Sequence, residues 1–268
     1  MFAPRVSNHR IERTAVLRHL IAATICLACS HAYAAELKLM VSGAMAEPIR
    51  EIAQDFAHSN GDTLDIIVGT TQSQEKRIRA GEKPDLIEVN AESMQALERD
   101  GRILAGTRTK LARANIAVAV PEGAPVPALS TPDDLKRALL SARRIALTDP
   151  AIKSQATEAI QNLLRRIGVQ QQVLAKVVPG STGLDAVQKM AKGEADLAIS
   201  FESEIRPIAG AKFAGLIPAP LQDPTIFEGA VGAASANPDA AKALLREILG
   251  QHGRDVLGRA GLEPLANN

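Results

Sequence analysis

The sequence predicts an α/β protein of two lobes, each a mostly parallel sheet flanked by helices, with a ligand cleft between them. Two distant stretches follow one plan. Val68-Gly69-Thr70-Thr71 leads through Ile78 to Gly81-Glu82 and Asp85-Leu86, and Pro179-Gly180-Ser181-Thr182 leads through Met190 to Gly193-Glu194 and Asp196-Leu197. In each, an apolar strand ends in glycine and hydroxyl residues, an amphipathic helix follows, a glycine stops it and a new strand begins, which is half of an α/β lobe. A third observation sets the number of lobes. The extended run Asn115 to Val120, which Pro121, Pro125 and Pro127 then interrupt, reads as the first passage into a second lobe, and Ile217-Pro218-Ala219-Pro220 reads as the return. Two crossings make the first lobe discontinuous, with residues 35–116 plus 219–268 in lobe one and 117–218 in lobe two, the plan of a hinged clamp.

The elements follow in order. Leu37 to Val41 reads as a buried strand, and Ile49, Ile52, Ala53 and Phe56 then fall on one helix face. Leu64 to Val68 and Leu86 to Val89 are the next strands, and Asn115 to Val120 is apolar and extended. Thr131-Pro132-Asp133-Asp134 carries an N-cap, a first-position proline and early acids, so a helix begins there. Arg144 to Thr148 is a strand, the helix of Ile160, Leu163, Leu164 and Ile167 closes at Gly168, and Val173 to Val178 and Leu197 to Ser200 are strands. Asn237-Pro238-Asp239 opens a helix through Leu249, and a last short helix ends near Gly261.

Residues 1–34 read as a secretory leader. Arg5, Arg10, Arg13 and Arg18 precede an apolar run from Leu20 to Cys29 that is too short to span a bilayer, and Ala32-Tyr33-Ala34 supplies an exit, with cleavage before Ala35 and export to the periplasm expected. A lipid-anchored alternative would use Cys29, but Cys26 stands where a lipobox wants an aliphatic residue. Both cysteines fall in the leader, so the mature chain has no thiol for disulfides, nucleophiles or metal ligands. Tyr33 leaves with it and there is no tryptophan, which argues against stacking sites for sugars or single-stranded nucleic acid. The mature chain keeps 27 basic against 29 acidic residues, without the excess that a nucleic acid or membrane partner needs. With two scattered histidines, His58 and His252, and no spaced carboxylate loop, no metal or cofactor is expected.

The strand-to-helix turns are the candidate site. Unpaired N–H groups and hydroxyls converge there at the positive ends of helix dipoles, which suits an anion, although each turn alone is also ordinary capping chemistry. Gly43, Ala44 and Met45, then Thr70, Thr71, Gln72 and Ser73, face a ligand from the first lobe. Lys153, Ser154, Ser181, Thr182, Gly183 and Phe201 face it from the second. Lys153 is the cation that would suit a carboxylate.

The run Val41 to Ile49, the segment Gly69-Thr70-Thr71-Gln72-Ser73 with Arg77-Ile78-x-Ala80-Gly81-x-x-x-Asp85-Leu86, the later Gly193-Glu194-Ala195-Asp196-Leu197 and the closing Gly261-Leu262-Glu263-Pro264 resemble the periplasmic molybdate-binding proteins of ABC importers. The resemblance implies a type II periplasmic binding fold, an oxyanion held between lobes, an ABC permease as partner, and a monomeric receptor with no catalytic residue. Ala44 stands at the family's first-turn serine and Phe201 at its tyrosine, so a molybdate-like oxyanion and a carboxylate both remain open. The competing class is an enzyme on the same fold, an aconitate isomerase-like protein acting on a tricarboxylate. Its base would be sought among His58, His252, Glu75 and Glu202.

Overall fold

The computed structural model describes Met1 and residues 34–152 and 154–265. The expected leader, apart from its two end residues, lies outside them, and so does Lys153. From Ala35 onward the chain clusters as one unit. It begins with strand β1 (Glu36–Ser42), helix α1 (Ala46–Asn60), β2 (Thr63–Gly69), α2 (Thr71–Arg79), β3 (Leu86–Asn90), α3 (Ala91–Arg99) and β4 (Thr109–Ala114). The middle holds β5 (Ile116–Pro121), α4 (Pro132–Ser141), β6 (Ile145–Thr148), α5 (Gln155–Arg166), α6 (Gln170–Leu174), β7 (Val177–Gly180), α7 (Gly183–Ala191), β8 (Leu197–Phe201), α8 (Glu202–Ile205) and β9 (Ala211–Leu216). The tail supplies β10 (Thr225–Val231), α9 (Pro238–Leu249), α10 (Gln251–Arg259) and β11 (Leu262–Pro264).

Two sheets result, in the orders β11-β4-β10-β3-β1-β2 and β7-β6-β8-β5-β9. Strands β2, β1 and β3 are mutually parallel, as are β7, β6 and β8. The remaining pairs, β10 with β3 and β4, β11 with β4, and β5 with β8 and β9, are antiparallel. The expectation of mostly parallel sheets is therefore corrected to mixed ones. Strands joined by a helical crossover must run parallel, whereas β5 and β10 enter their sheets as the chain arrives from the other one, and pair against the local direction.

Parallel strands covered on both faces read as continuous apolar runs, and Leu37, Leu39, Met40 and Val41 of β1 are all fully buried. Ile49, Ile52 and Ala53 of α1 pack beneath Leu37, Leu39 and Val41, and α1 stops where Gly61 takes φ 76°, a left-handed conformation that suits glycine. In the middle segment Ile160, Leu163 and Leu164 of α5 join Ile145, Leu147, Leu197 and Ile199. Asn115 alone separates β4 in the first sheet from β5 in the second. The return, residues 217–224, carries Gln222, whose Nε2 donates to the Ile116 and Ile217 carbonyls (2.7 and 3.3 Å) while its Oε1 accepts the Ile116 N–H (3.1 Å). One side chain thus ties the two crossing strands together.

Candidate functional site

The site is built from places where a strand hands over to a helix. Thr70 caps α2 by accepting the Ser73 N–H, Asn90 caps α3 by accepting that of Ser93, Ser154 caps α5 through Thr157, and Thr182 caps α7 through Asp185. Each side chain satisfies one orphan donor of its helix and leaves others directed past the end of the strand. A fifth handover, the 3₁₀ turn Gly43–Met45 after Ser42, has no side-chain cap.

These ends surround one cavity, whose ≈ 450 Å³ of empty space includes the open solvent at its mouth, lined from the first sheet and its turns by Ser42, Gly43, Ala44, Gly69, Thr70, Thr71, Asn90, Thr225 and Phe227. The second sheet contributes Thr148, Ser154, Ala156, Thr182, Gly183, Phe201 and Glu204. Four helices of nine or more residues aim their positive ends at it, and among the described lining residues there is no lysine, arginine or histidine. Phe201 and Phe227, one from each sheet, meet edge to face at 5.8 Å and give the cavity an apolar wall. The Thr71 hydroxyl accepts a long contact from Asn90 Nδ2 (3.5 Å), which leaves its own proton available to the cavity.

Two buried carboxyls stand close by, one on the cavity wall and one behind it. Glu204 lies on the wall, where burial pushes its carboxyl above the ordinary range against the pull of the Ser200 hydroxyl and the Phe201 and Leu184 N–H groups. Its oxygens occupy the places where side chains at Gly43 and Gly183 would begin, since a Cβ there would lie 2.7 and 2.0 Å away. Glu88, on β3 behind Ser42, is wholly buried. Its Oε2 accepts the Ser42 N–H (2.7 Å) and its Oε1 lies 3.1 Å from Ser42 Oγ, and burial pushes this carboxyl up to about 8. None of the described His, Cys, Asp and Glu side chains gather in a group of three that could hold a metal ion.

The family model for bacterial extracellular solute-binding proteins matches residues 37–263. The chain belongs to that family. This solute-binding protein is 29% identical over 236 residues to "aconitate isomerase" of a Pseudomonas species, a match covering 85% of this chain and 88% of that protein. Its fold matches the Azotobacter vinelandii periplasmic molybdate-binding protein with a TM-score of 0.73 at 21% identity, over 87% of this chain and 100% of the other. It also matches the sulfate-binding protein SubI of Mycobacterium tuberculosis H37Rv with a TM-score of 0.63 at 17% identity, over 86% and 87% of the two chains. These likenesses place the chain in the two-lobed type II binding fold.

Of the residues singled out in this solute-binding protein by sequence, Gly43, Ala44, Thr70, Thr71, Ser154, Thr182, Gly183 and Phe201 come together around the cavity. Four others do not line it. Met45 is in the hydrophobic core, Gln72 is half-buried, Ser73 is exposed and bonds back to Thr70, and Ser181 is exposed and bonds Asp185. Lys153 is outside the described residues. The acids weighed as bases are engaged elsewhere, Glu75 with Arg79 and Glu202 with Arg206, and His252 pairs with Asp55 while His58 is exposed. Sequence reasoning missed Ser42, Thr148, Ala156, Thr225, Phe227 and Glu204. Asn90 was legible, as an N-cap residue just after an apolar strand in the strand-to-helix turn Asn90 to Glu92.

Proposed function

We propose that this protein is an exported receptor that captures a small carboxylate anion between its two lobes and delivers it to an ABC-type importer. One observation carries the anion: helix N-termini and hydroxyls converge on a cavity with no cationic side chain among its described lining residues. The choice of a carboxylate over a compact oxyanion rests on the wall. Phe201, Phe227, Ala44 and Ala156 present apolar surface that a tetrahedral oxyanion cannot use and a carbon skeleton can. The boundaries 35–116 plus 219–268 and 117–218 are proposed as the closing jaws.

A thermal-shift screen of the mature protein tests the reading, because a ligand that binds only the folded state raises Tm by mass action. Tricarboxylates such as citrate and trans-aconitate are expected to raise Tm more than molybdate or sulfate. The reverse order would return the site to an oxyanion. Thr71→Ala is expected to weaken the best ligand by roughly 1 to 2 kcal/mol, the scale of a hydrogen bond to a charged group.

A second reading, a tricarboxylate isomerase, is favoured by Glu204, a buried carboxyl on the cavity wall. Its ionised form would take a proton from the CH₂ beside a carboxylate. The electron pair would spread over the allylic system, the double bond would shift, and the same carboxyl would return the proton to the far carbon, with no change of oxidation state. Proton NMR of trans-aconitate in D₂O separates the two readings. Deuterium incorporation and isomer exchange that vanish in Glu204→Gln would establish the enzyme, and an unchanged spectrum after long incubation would leave the receptor.

A further inference from the structure

Glu88 does not touch the cavity, yet Ser42, the one neighbour that hydrogen-bonds its carboxyl among the described residues, does. Its place in the sheet explains why it has no cation. Gly229 of β10 is its partner in register, and Val41 of β1 lies on its other side by continuation of the Met40–Ile87 pairing. Glu88 shares the sheet face of Leu86, which packs with Leu37, Leu39 and Val41 under α1, α9 and α10.

The charged groups of those helices stay at the surface. Arg50 pairs with Glu47, Arg259 with Glu51, His252 with Asp55 and Lys242 with Asp239, and His58, Arg246, Arg254 and Asp255 are exposed, with Glu247 half-exposed. On the neighbouring strands, Lys38 of β1 is bonded to Glu82, and Glu228 of β10, on the opposite face, to Arg108. The helices of that opposite face carry Glu75, which pairs with Arg79, Arg77, which pairs with Glu82, Glu98, which pairs with Arg108, and the exposed Lys76, Glu92 and Arg99. Among the described residues, Ser42 is left as the sole source of compensation.

The two protonation states of Glu88 demand opposite things of Ser42. An ionised carboxylate can only accept, so the Ser42 N–H and O–H both turn inward and the serine oxygen shows the cavity nothing but lone pairs. A neutral carboxyl fits the same distances the other way round. Oε2 still accepts the N–H, while the proton on Oε1 is donated to Ser42 Oγ, and the Ser42 proton is released toward the cavity. An anion there is repelled by the first arrangement and hydrogen-bonded by the second.

We propose that Glu88 is a positioning residue whose proton sets the direction of the Ser42 hydroxyl, so that the anion binds only to the form in which Glu88 is protonated. The proposal rests on the anion-receptor reading above and specifies which residue of that site makes recognition depend on a proton. The neutral acid is the resting state at pH 7, because burial without a cation disfavours the charge. Binding is then intact at neutral pH and is lost as alkali removes the proton.

Calorimetric titration of the mature protein with trans-aconitate and with molybdate from pH 6 to 9.5 tests it, the decline being read above pH 7, where both probes are essentially fully ionised. Scaling affinity by the protonated fraction of a group titrating at about 8 predicts a Kd that rises by about 30-fold between pH 7 and 9.5. Glu88→Gln keeps the accepting oxygen and replaces the donated proton with an N–H, so it is expected to hold the pH 7 affinity within about threefold and to lose the alkaline decline. Glu204 is present in both proteins, so the difference between their profiles isolates Glu88. Ser42→Ala is expected to bind more weakly at pH 7 and to show the same flattened profile, which keeps the test decisive if Glu88→Gln does not fold. A flat wild-type profile, a decline in Glu88→Gln parallel to wild type, or full affinity in Ser42→Ala would overturn the proposal. Failure of both probes to bind at pH 6 would instead overturn the anion reading itself, and this inference with it.

Discussion

A carboxyl buried without a cation changes the stability of a protein as well as its binding. The folded state holds Glu88 near 8, well above the value of about 4.3 for a free glutamate, so between those limits the unfolded chain releases a proton that the folded one keeps. The contribution of Glu88 to stability is therefore whole below about pH 4.3 and is lost as pH rises to about 8. Urea unfolding of wild type and Glu88→Gln across that window is expected to show wild type losing on the order of 5 kcal/mol relative to the variant. Parallel curves would mean that Glu88 is ionised in the fold. At this scale the sequence was half legible. Thr70, Ser154 and Thr182 advertised themselves because a hydroxyl before a helix is a cap signature. Glu88 and Glu204 did not. All five residues of Leu86–Asn90 are buried, which erases the alternation that would have pointed the glutamate inward, and Glu204 sits among Glu202 and Arg206 in what reads as an exposed charged turn.

Two elements meet closely where α7 begins against α8. The Glu204 carboxyl fills the space beside Gly183, with Ser200 Oγ only 2.2 Å from where a Cβ would stand. Gly183→Ala is therefore expected to destabilise the fold by about 1 to 3 kcal/mol through overpacking, and to lose much of that cost when Glu204 is also cut to alanine. Additive losses in the double-mutant cycle would show that the two do not compete for one space. The repeated strand, glycine-hydroxyl turn and helix units were legible because both halves of the pattern recur over a long window. Strands β4, β9, β10 and β11 were not. Strand β11 has only three residues, Lys110, Arg113, Lys212 and Glu228 interrupt the apolar character of the others, and their pairing is decided by segments far away in sequence.

Over the whole molecule, prolines marked the return near residues 217–220, but the first crossing, at Asn115, precedes Pro121, Pro125 and Pro127 and was not marked by them, and neither was the tie between the crossings, since nothing local marks a glutamine that bonds both. Gln222→Ala removes its three hydrogen bonds to Ile116 and Ile217, and is expected to lower stability by roughly 1 to 3 kcal/mol and to weaken ligand binding although no cavity residue has changed. Equal affinity and equal stability would show that the crossings hold their places without it. The strand order carries a further consequence, for the order of assembly. Strand β4 bonds only β10 and β11, and β10 separates it from β3, so the first sheet cannot close until the last quarter of the chain arrives. The second sheet is drawn entirely from residues 116–216 and needs nothing from either end. A chain emerging from a secretion pore amino end first would finish its middle while β3 and β4 still stood open, and pulse-labelled hydrogen exchange should find β5 to β9 protected before either of them.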